Sequence, residues 1–196
     1  MEESEKNHLQ DPVLRLGIST CLLGEQVRFD GGHKLDRFLV NTLGLYVEWV
    51  PVCPEVEMGL PIPRESLRQV GKAESPRLIA PKSGTDHTEA MIAWAQKRLE
   101  ELAEVRLHGF VFKKDSPSSG LFRVRVYNEH GMAQRNGTGM VPREVMNRVP
   151  LLPLEEEGRL NDMPLRENFI ERVFAYDRWT ELMDQKPRMG RLVEFH

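Results

Sequence analysis

Residues Val47–Glu65 read VEWVPVCPEVEMGLPIPRE. The β-branched and aromatic run Val47–Val52 has the character of a short strand, and it hands a single thiol, Cys53, to its C-terminal end. Pro54 and a carboxylate, Glu55, follow at once, and Gly59, Pro61 and Pro63 keep the next stretch out of a helix. Two other segments share the design of a strand running into a small-residue turn: Leu14–Cys21 and Gly109–Gly120. Loops at the carboxyl ends of strands in an open α/β sheet converge on a crevice where ligands bind. These three strand ends are therefore expected to meet.

The flanking sequence supports such a sheet. Leu14–Ser19 (LRLGIS) reads as a buried strand that ends in Thr20-Cys21-Leu22-Leu23-Gly24, and Asp30-Gly31-Gly32 marks a turn. Leu35, Phe38, Leu39 and Leu43 give Lys34–Leu43 the spacing of an amphipathic helix. Strand, helix and strand over this distance make a βαβ unit with parallel pairing. Arg77–Pro81 is short and extended; Thr85 or Asp86 is placed to cap a helix over Thr88–Glu104 that buries Ile92, Ala95, Leu99 and Leu102. Gly109–Phe112 is a third main strand. Leu121–Tyr127 alternates apolar and basic residues, as an exposed or edge strand does, and residues 128–139 read as a polar loop. A short helix from Pro142 to Arg148 and a strand over Pro150–Leu154 close the unit. The fold class expected is α/β: a Rossmann-like three-layer domain with a mainly parallel sheet, plus a C-terminal helical extension.

Residues 1–12 are polar and expected to form a disordered tail, 13–157 the main domain, and 158–196 a helical extension or linker toward a further domain. Leu165, Phe169, Ile170, Val173, Phe174 and Leu182 supply an apolar face to a helix opened by Pro164, and Arg191–His196 is still apolar where the chain stops. The 196 residues, 40% of them apolar, suit one core-forming domain of ordinary size. MEESEKNHLQ is too polar and acidic for a signal peptide, and no run approaches the roughly 18 apolar residues of a membrane span, so a cytoplasmic location without membrane contact is the expectation. The net charge of −3 does not favour nucleic acid, but it is unevenly spread: Lys113–Arg148 holds seven Lys and Arg against three Asp and Glu, whereas Glu155–Asp184 holds four against nine. The first of these could attract phosphate; two ordinary solvated faces would read the same way.

The two cysteines, Cys21 and Cys53, each follow a strand of the same βαβ unit. The pair permits a metal site, a redox dithiol or two inert buried thiols; it lacks the C-x-x-C spacing of zinc ribbons and thioredoxins and a four-cysteine iron–sulfur signature. His33 has no second histidine at a ligand spacing. The ordered set Ile18-Ser19-Thr20-Cys21-Leu22-Leu23-Gly24, Arg28-Phe29-Asp30-Gly31-Gly32-His33-Lys34, Pro51-Val52-Cys53-Pro54-Glu55, Gly59-Leu60-Pro61-Ile62-Pro63-Arg64 and Ser116-Pro117-Ser118-Ser119-Gly120 resembles the TudS-type thiouracil/4-thiouridine desulfidase family, over about Leu14–Leu154.

That resemblance implies an iron–sulfur enzyme that cleaves C–S bonds without redox change. Three cysteines hold a [4Fe–4S] cluster and leave one iron open as a Lewis acid for the thiocarbonyl sulfur of a thiolated pyrimidine. Two of the three fall on Cys21 and Cys53; the third, in an SPSCG motif, falls on Ser119. A hydroxyl is a poor substitute for a thiolate on iron, so the cluster is expected to be held weakly or not at all, whether Ser119 is an engineered replacement, the favoured reading, or a natural departure. Glu55 is the candidate base toward water, and Ser116 and Ser118 are candidate relay hydroxyls, although serines beside Pro117 also suit turn hydrogen bonds. Asp30, Lys34 and Arg64 are candidates for substrate binding, Asp30 also fitting an Asx turn. Glu156-Glu157-Gly158-Arg159-Leu160 and Leu165–Phe174 resemble the linker of two-domain members that act on 4-thiouridine in tRNA, shorter members favouring free thiouracil. The substrate partner implied is thus a thiolated pyrimidine, free or in tRNA, with no obligate protein partner. Two other readings stand beside it: a cluster-free RNA-binding module that has lost the chemistry, and a thiol-dependent sulfurtransferase with Cys53 as nucleophile and Glu55 as base.

Overall fold

The computed structural model describes residues 14–185, Gly190 and Val193; the expectations for residues 1–12 and for most of 191–196 fall outside the described residues. The strands are β1 (Arg15–Ser19), β2 (Glu48–Val52), β3 (Arg68–Lys72), β4 (Ser75–Ile79), β5 (Gly109–Phe112), β6 (Val124–Tyr127), β7 (Ala133–Gly137) and β8 (Leu154–Glu156). The helices are α1 (Arg37–Asn41), α2 (Pro54–Glu57), α3 (Thr88–Val105), α4 (Met140–Arg148) and α5 (Met163–Asp184).

The main sheet runs β2-β1-β5-β8 and is wholly parallel, as the sequence predicted for its principal strands. Successive side chains of a strand point to opposite faces, and here both faces are covered. Phe110, Phe112 and Val52 face α3 and α4 with Met91, Ala95, Leu99 and Val145, while Leu16, Ile18 and Val111 face Leu39 of α1 and Phe169 and Val173 of α5. This is the expected three-layer arrangement, and α5 forms part of one layer. Phe110 and Phe112 stack with centroids 4.1 Å apart. Gly17 makes room for them, because a β-carbon there would lie 2.2 Å from the Phe110 ring.

A second sheet, β4-β3-β6-β7, corrects the local reading in three places. Leu121–Tyr127 is not an edge: β6 lies between β3 and β7, with Val124 and Val126 buried and Arg125 exposed. The polar loop 128–139 contains β7, and the Pro-rich segment is followed by β3, whose fully buried Gln69 hides its strand character from a hydrophobicity pattern. The helix expected from Lys34 starts only after Asp36, whose Oδ1 accepts from the Leu39 amide at 3.1 Å and so fixes the N-terminus there. Likewise Asp86, not a Thr85 side chain, serves the start of α3 by accepting from the Thr88 amide at 2.9 Å.

One polar pair fastens α5 to the far end of the sheet. His108, 4% exposed, accepts from the Arg15 amide at Nδ1 (3.0 Å), so it is neutral and donates from Nε2 to Asp177 Oδ1 (3.1 Å). Burial pulls its pKa below 6.5, outweighing Asp177, with Arg106 and Arg15 acting in the same direction as burial. The unfolded chain therefore binds this proton first. Below pH 6.5 the contribution of neutral His108 falls away, and above it the contribution is complete. Denaturant titrations are expected to show stability declining below that pH in the native chain and less so in His108→Gln.

Candidate active site

Parallel pairing puts the carboxyl ends of β2, β1 and β5 on one edge of the sheet, and a crevice of about 400 Å³ opens there. Cys21, Cys53, Glu55, Lys34, Arg64, Ser116 and Ser119 all line it, so the three strand ends do meet. Asp30 does not line it. It is exposed in the DGG turn, where Oδ1 accepts from the Gly32 amide (3.0 Å) and lies 3.4 Å from Arg28 Nε. The Gly32 bond is the main reason its pKa is lowered. His33 faces solvent, and its Nδ1 accepts from the Leu35 amide.

Each side chain is delivered by a local device. Thr20–Leu23 coil into a 3-10 turn closed by Gly24 at φ 97°, a conformation that costs glycine little, and this buries Cys21 to 8% exposure. Cys53 opens α2, and its amide donates to Glu57 Oε1 (2.8 Å). Glu57 in turn pairs with Arg98 of α3 (3.0 Å). Burial pushes the Cys21 thiol up to about 11 and the Cys53 thiol up to about 12, the latter with help from the Glu55 carboxylate. Both are thiols near neutral pH.

Glu55 is the hub of the polar contacts. Ser118 Oγ donates to its Oε1 (2.5 Å), and Ser116 Oγ lies 2.9 Å from Ser118 Oγ. The Cys53 thiol lies 3.8 Å from Oε2, as does an Arg64 nitrogen. The Ser119 amide donates to Ser116 Oγ (3.2 Å), and Ser119 Oγ is 3.4 Å from Ser118 Oγ. Carboxylate, three serine hydroxyls and the Cys53 thiol therefore form one continuous network at the crevice, with Cys21 on the same wall, and a proton can pass along Ser116–Ser118–Glu55 with short heavy-atom steps.

Three residues that sequence reasoning missed hold the Ser116–Gly120 loop. Gln69 Nε2 donates to the carbonyls of Pro117 and Thr138, both at 2.8 Å. Glu156 Oε1 accepts from the amides of Leu121 and Phe122. Glu157 accepts from Lys113 Nζ (2.6 Å) and from the Lys114 amide (2.8 Å), placing the Lys113 side chain at the crevice wall. Gly139 passes so close that a β-carbon would lie 2.8 Å from the carbonyl oxygens of Ser118 and Gly120. Only the acidic run Glu155–Glu157 hinted at this in the sequence, because three consecutive buried carboxylates, two in β8 and one just past it, require partners.

Residues 16–157 match the family model described as 2-thiouracil desulfurase. YbbK of Bacillus subtilis, described as uncharacterized, is 31% identical over 108 residues, which is 53% of this chain and 71% of that protein. Among solved structures, the [4Fe-4S]-dependent thiouracil desulfidase TudS superposes with a TM-score of 0.61 at 27% identity, covering 79% of this chain and 98% of that one.

The donors in this chain do not fit a cluster held at three corners by thiolates. Where three thiolates are needed, Cys21, Cys53 and Ser119 offer two thiols and one hydroxyl, and among the described residues no three of His, Cys, Asp and Glu gather into a metal site. Ser119 is 4% exposed and engaged with its neighbouring serines rather than standing free.

Proposed function

The chain belongs to the 2-thiouracil desulfurase family, and on that premise we propose that its crevice receives a thiolated pyrimidine, 4-thiouridine in tRNA or free thiouracil, with the desulfidase chemistry silenced by Ser119. The observation that carries this reading is the Glu55–Ser118–Ser116 network beside Cys21, Cys53 and Ser119 at one sheet edge. In this assignment Cys21, Cys53 and the 119 side chain are the ligand positions for a [4Fe–4S] cluster, and replacing one thiolate by a hydroxyl leaves the cluster weakly bound or unbound. Glu55 is the base toward water, with Ser116 and Ser118 carrying or orienting protons. Lys34 and Arg64 contact the base edge or a phosphate; Asp30 shapes the turn that presents Arg28 and Lys34. The main catalytic unit is 13–157, with 158–196 extending it, in a cytoplasmic setting.

Anaerobic reconstitution of the native chain against Ser119→Cys tests this. The native chain is expected to stay nearly colourless. Ser119→Cys is expected to gain visible iron–sulfur absorption, bind about four irons per chain and release sulfide from 4-thiouridine or 2-thiouracil. A colourless Ser119→Cys chain that releases no sulfide defeats the reading. Mass spectrometry for an iron-independent persulfide on Cys53 separates the sulfurtransferase alternative.

A further inference from the structure

The second sheet has one covered face and one open face. Gln69, Leu78, Val124 and Val126 point inward and are buried, so Arg68, Lys72, Arg77, Arg125 and Arg135 share the outer face. Arg125 stands directly opposite Arg135 across the β6–β7 pair. The β3–β6 register, Gln69 beside Val126, puts Arg68 beside Arg125 one residue earlier. Three arginines thus lie abreast on strands spaced about 4.8 Å apart. Like charges directly opposite destabilise a sheet, so the row has a cost that an anion in front of it offsets. Two of the five cations are answered from within the chain: Arg77 by Asp86 (2.7 Å) and Arg135 by Asp115 (2.8 Å). Arg68 stacks on the Tyr127 ring at 4.8 Å, and Arg125 and Lys72 have no ion pair among the described residues.

The row also leads into the crevice. Asp115, which holds Arg135, lines the crevice wall, and so do Ser66 and Leu67, which run into Arg68. We infer that this outer face docks the phosphodiester backbone of a single-stranded RNA segment and thereby feeds its thiolated base to the crevice, an inference that rests on the function proposed above. Spaced guanidiniums beside a stacked tyrosine match phosphates and a base face together, which neither a lipid headgroup layer nor an acidic peptide offers.

Fluorescence anisotropy of the full chain with labelled oligouridylate, with and without one 4-thiouridine, tests it. Three free cations predict a log–log salt slope of about −2, or roughly fifteenfold weaker binding from about 50 to about 200 mM salt. Arg125→Ala and Lys72→Ala are each expected to weaken binding about fivefold and to flatten that slope by about 0.7, with circular dichroism unchanged. Unchanged affinity and slope in both variants, or equal competition by phosphatidylserine vesicles, overturns the docking face. Arginine-dependent binding with no preference for the thiolated oligomer supports the face and counts against the crevice assignment instead.

Discussion

In a Ser119→Cys background, Glu55→Gln is expected to lower sulfide release from 4-thiouridine by about 10²- to 10⁴-fold while leaving iron content and visible absorption unchanged. Glutamine keeps the shape of the side chain and can still accept from Ser118 Oγ, so the Ser116–Ser118 pair has no reason to move. What it loses is the ability to take a proton and the negative charge facing Arg64. Since Glu55 lies 3.8 Å from the Cys53 thiol without being among the three ligand positions, loss of turnover separates from loss of cluster. Retained turnover removes Glu55 from the role of base; lost absorption shows that it supports the ligand set instead.

Glu157→Ala is expected to be the most damaging of the single polar truncations, by about 3 kcal/mol or more in denaturant unfolding. The Lys113 ammonium has a side chain only 14% exposed, and its carboxylate partner is 10% exposed. Truncation leaves that charge without its counter-ion and the Lys114 amide without an acceptor. Lys113 is also the strongest cationic influence opposing the effect of burial on the Cys21 thiol, ahead of Arg28, so the same change alters the electrostatics of the crevice. Glu157→Gln, which keeps an acceptor for the Lys114 amide, is expected to cost less. A loss below about 1 kcal/mol in Glu157→Ala means that water solvates Lys113 and that the pair is an ordinary surface contact.

The first three strands of the parallel sheet were legible because they carry mainly apolar runs close to glycine- and proline-rich turns, and because β1, α1 and β2 are close in sequence; the fourth was placed at Pro150–Leu154 but lies at Leu154–Glu156, whose two glutamates do not read as a buried strand. The crevice was legible for the same reason: Cys21, Cys53 and Ser119 each sit just beyond such a run. The second sheet was not. β3 buries a glutamine, β7 is exposed at four of its five residues, and the strand partners of β6 lie on either side of it in sequence. Periodicity in one strand says nothing about a neighbour 50 residues away. Gln69, Glu156 and Glu157 were missed because buried polar residues that satisfy backbone amides or carbonyls resemble surface residues when only composition is read. Asp30, a candidate by its motif, lies outside the crevice because its carboxylate is used by the Gly32 amide next to it.

β8 sits at the border of the main sheet with little apolar surface of its own to set its alignment. Its alignment is keyed by two carboxylates: Glu156 gathers two amides beyond Gly120, and Glu157, just past the strand, takes Lys113. Sliding the segment by one position would reverse which layer each carboxylate faces and unmake both contacts together. The border strand therefore works as a key with two teeth, one on each flank of the loop that carries Ser118 and Ser119.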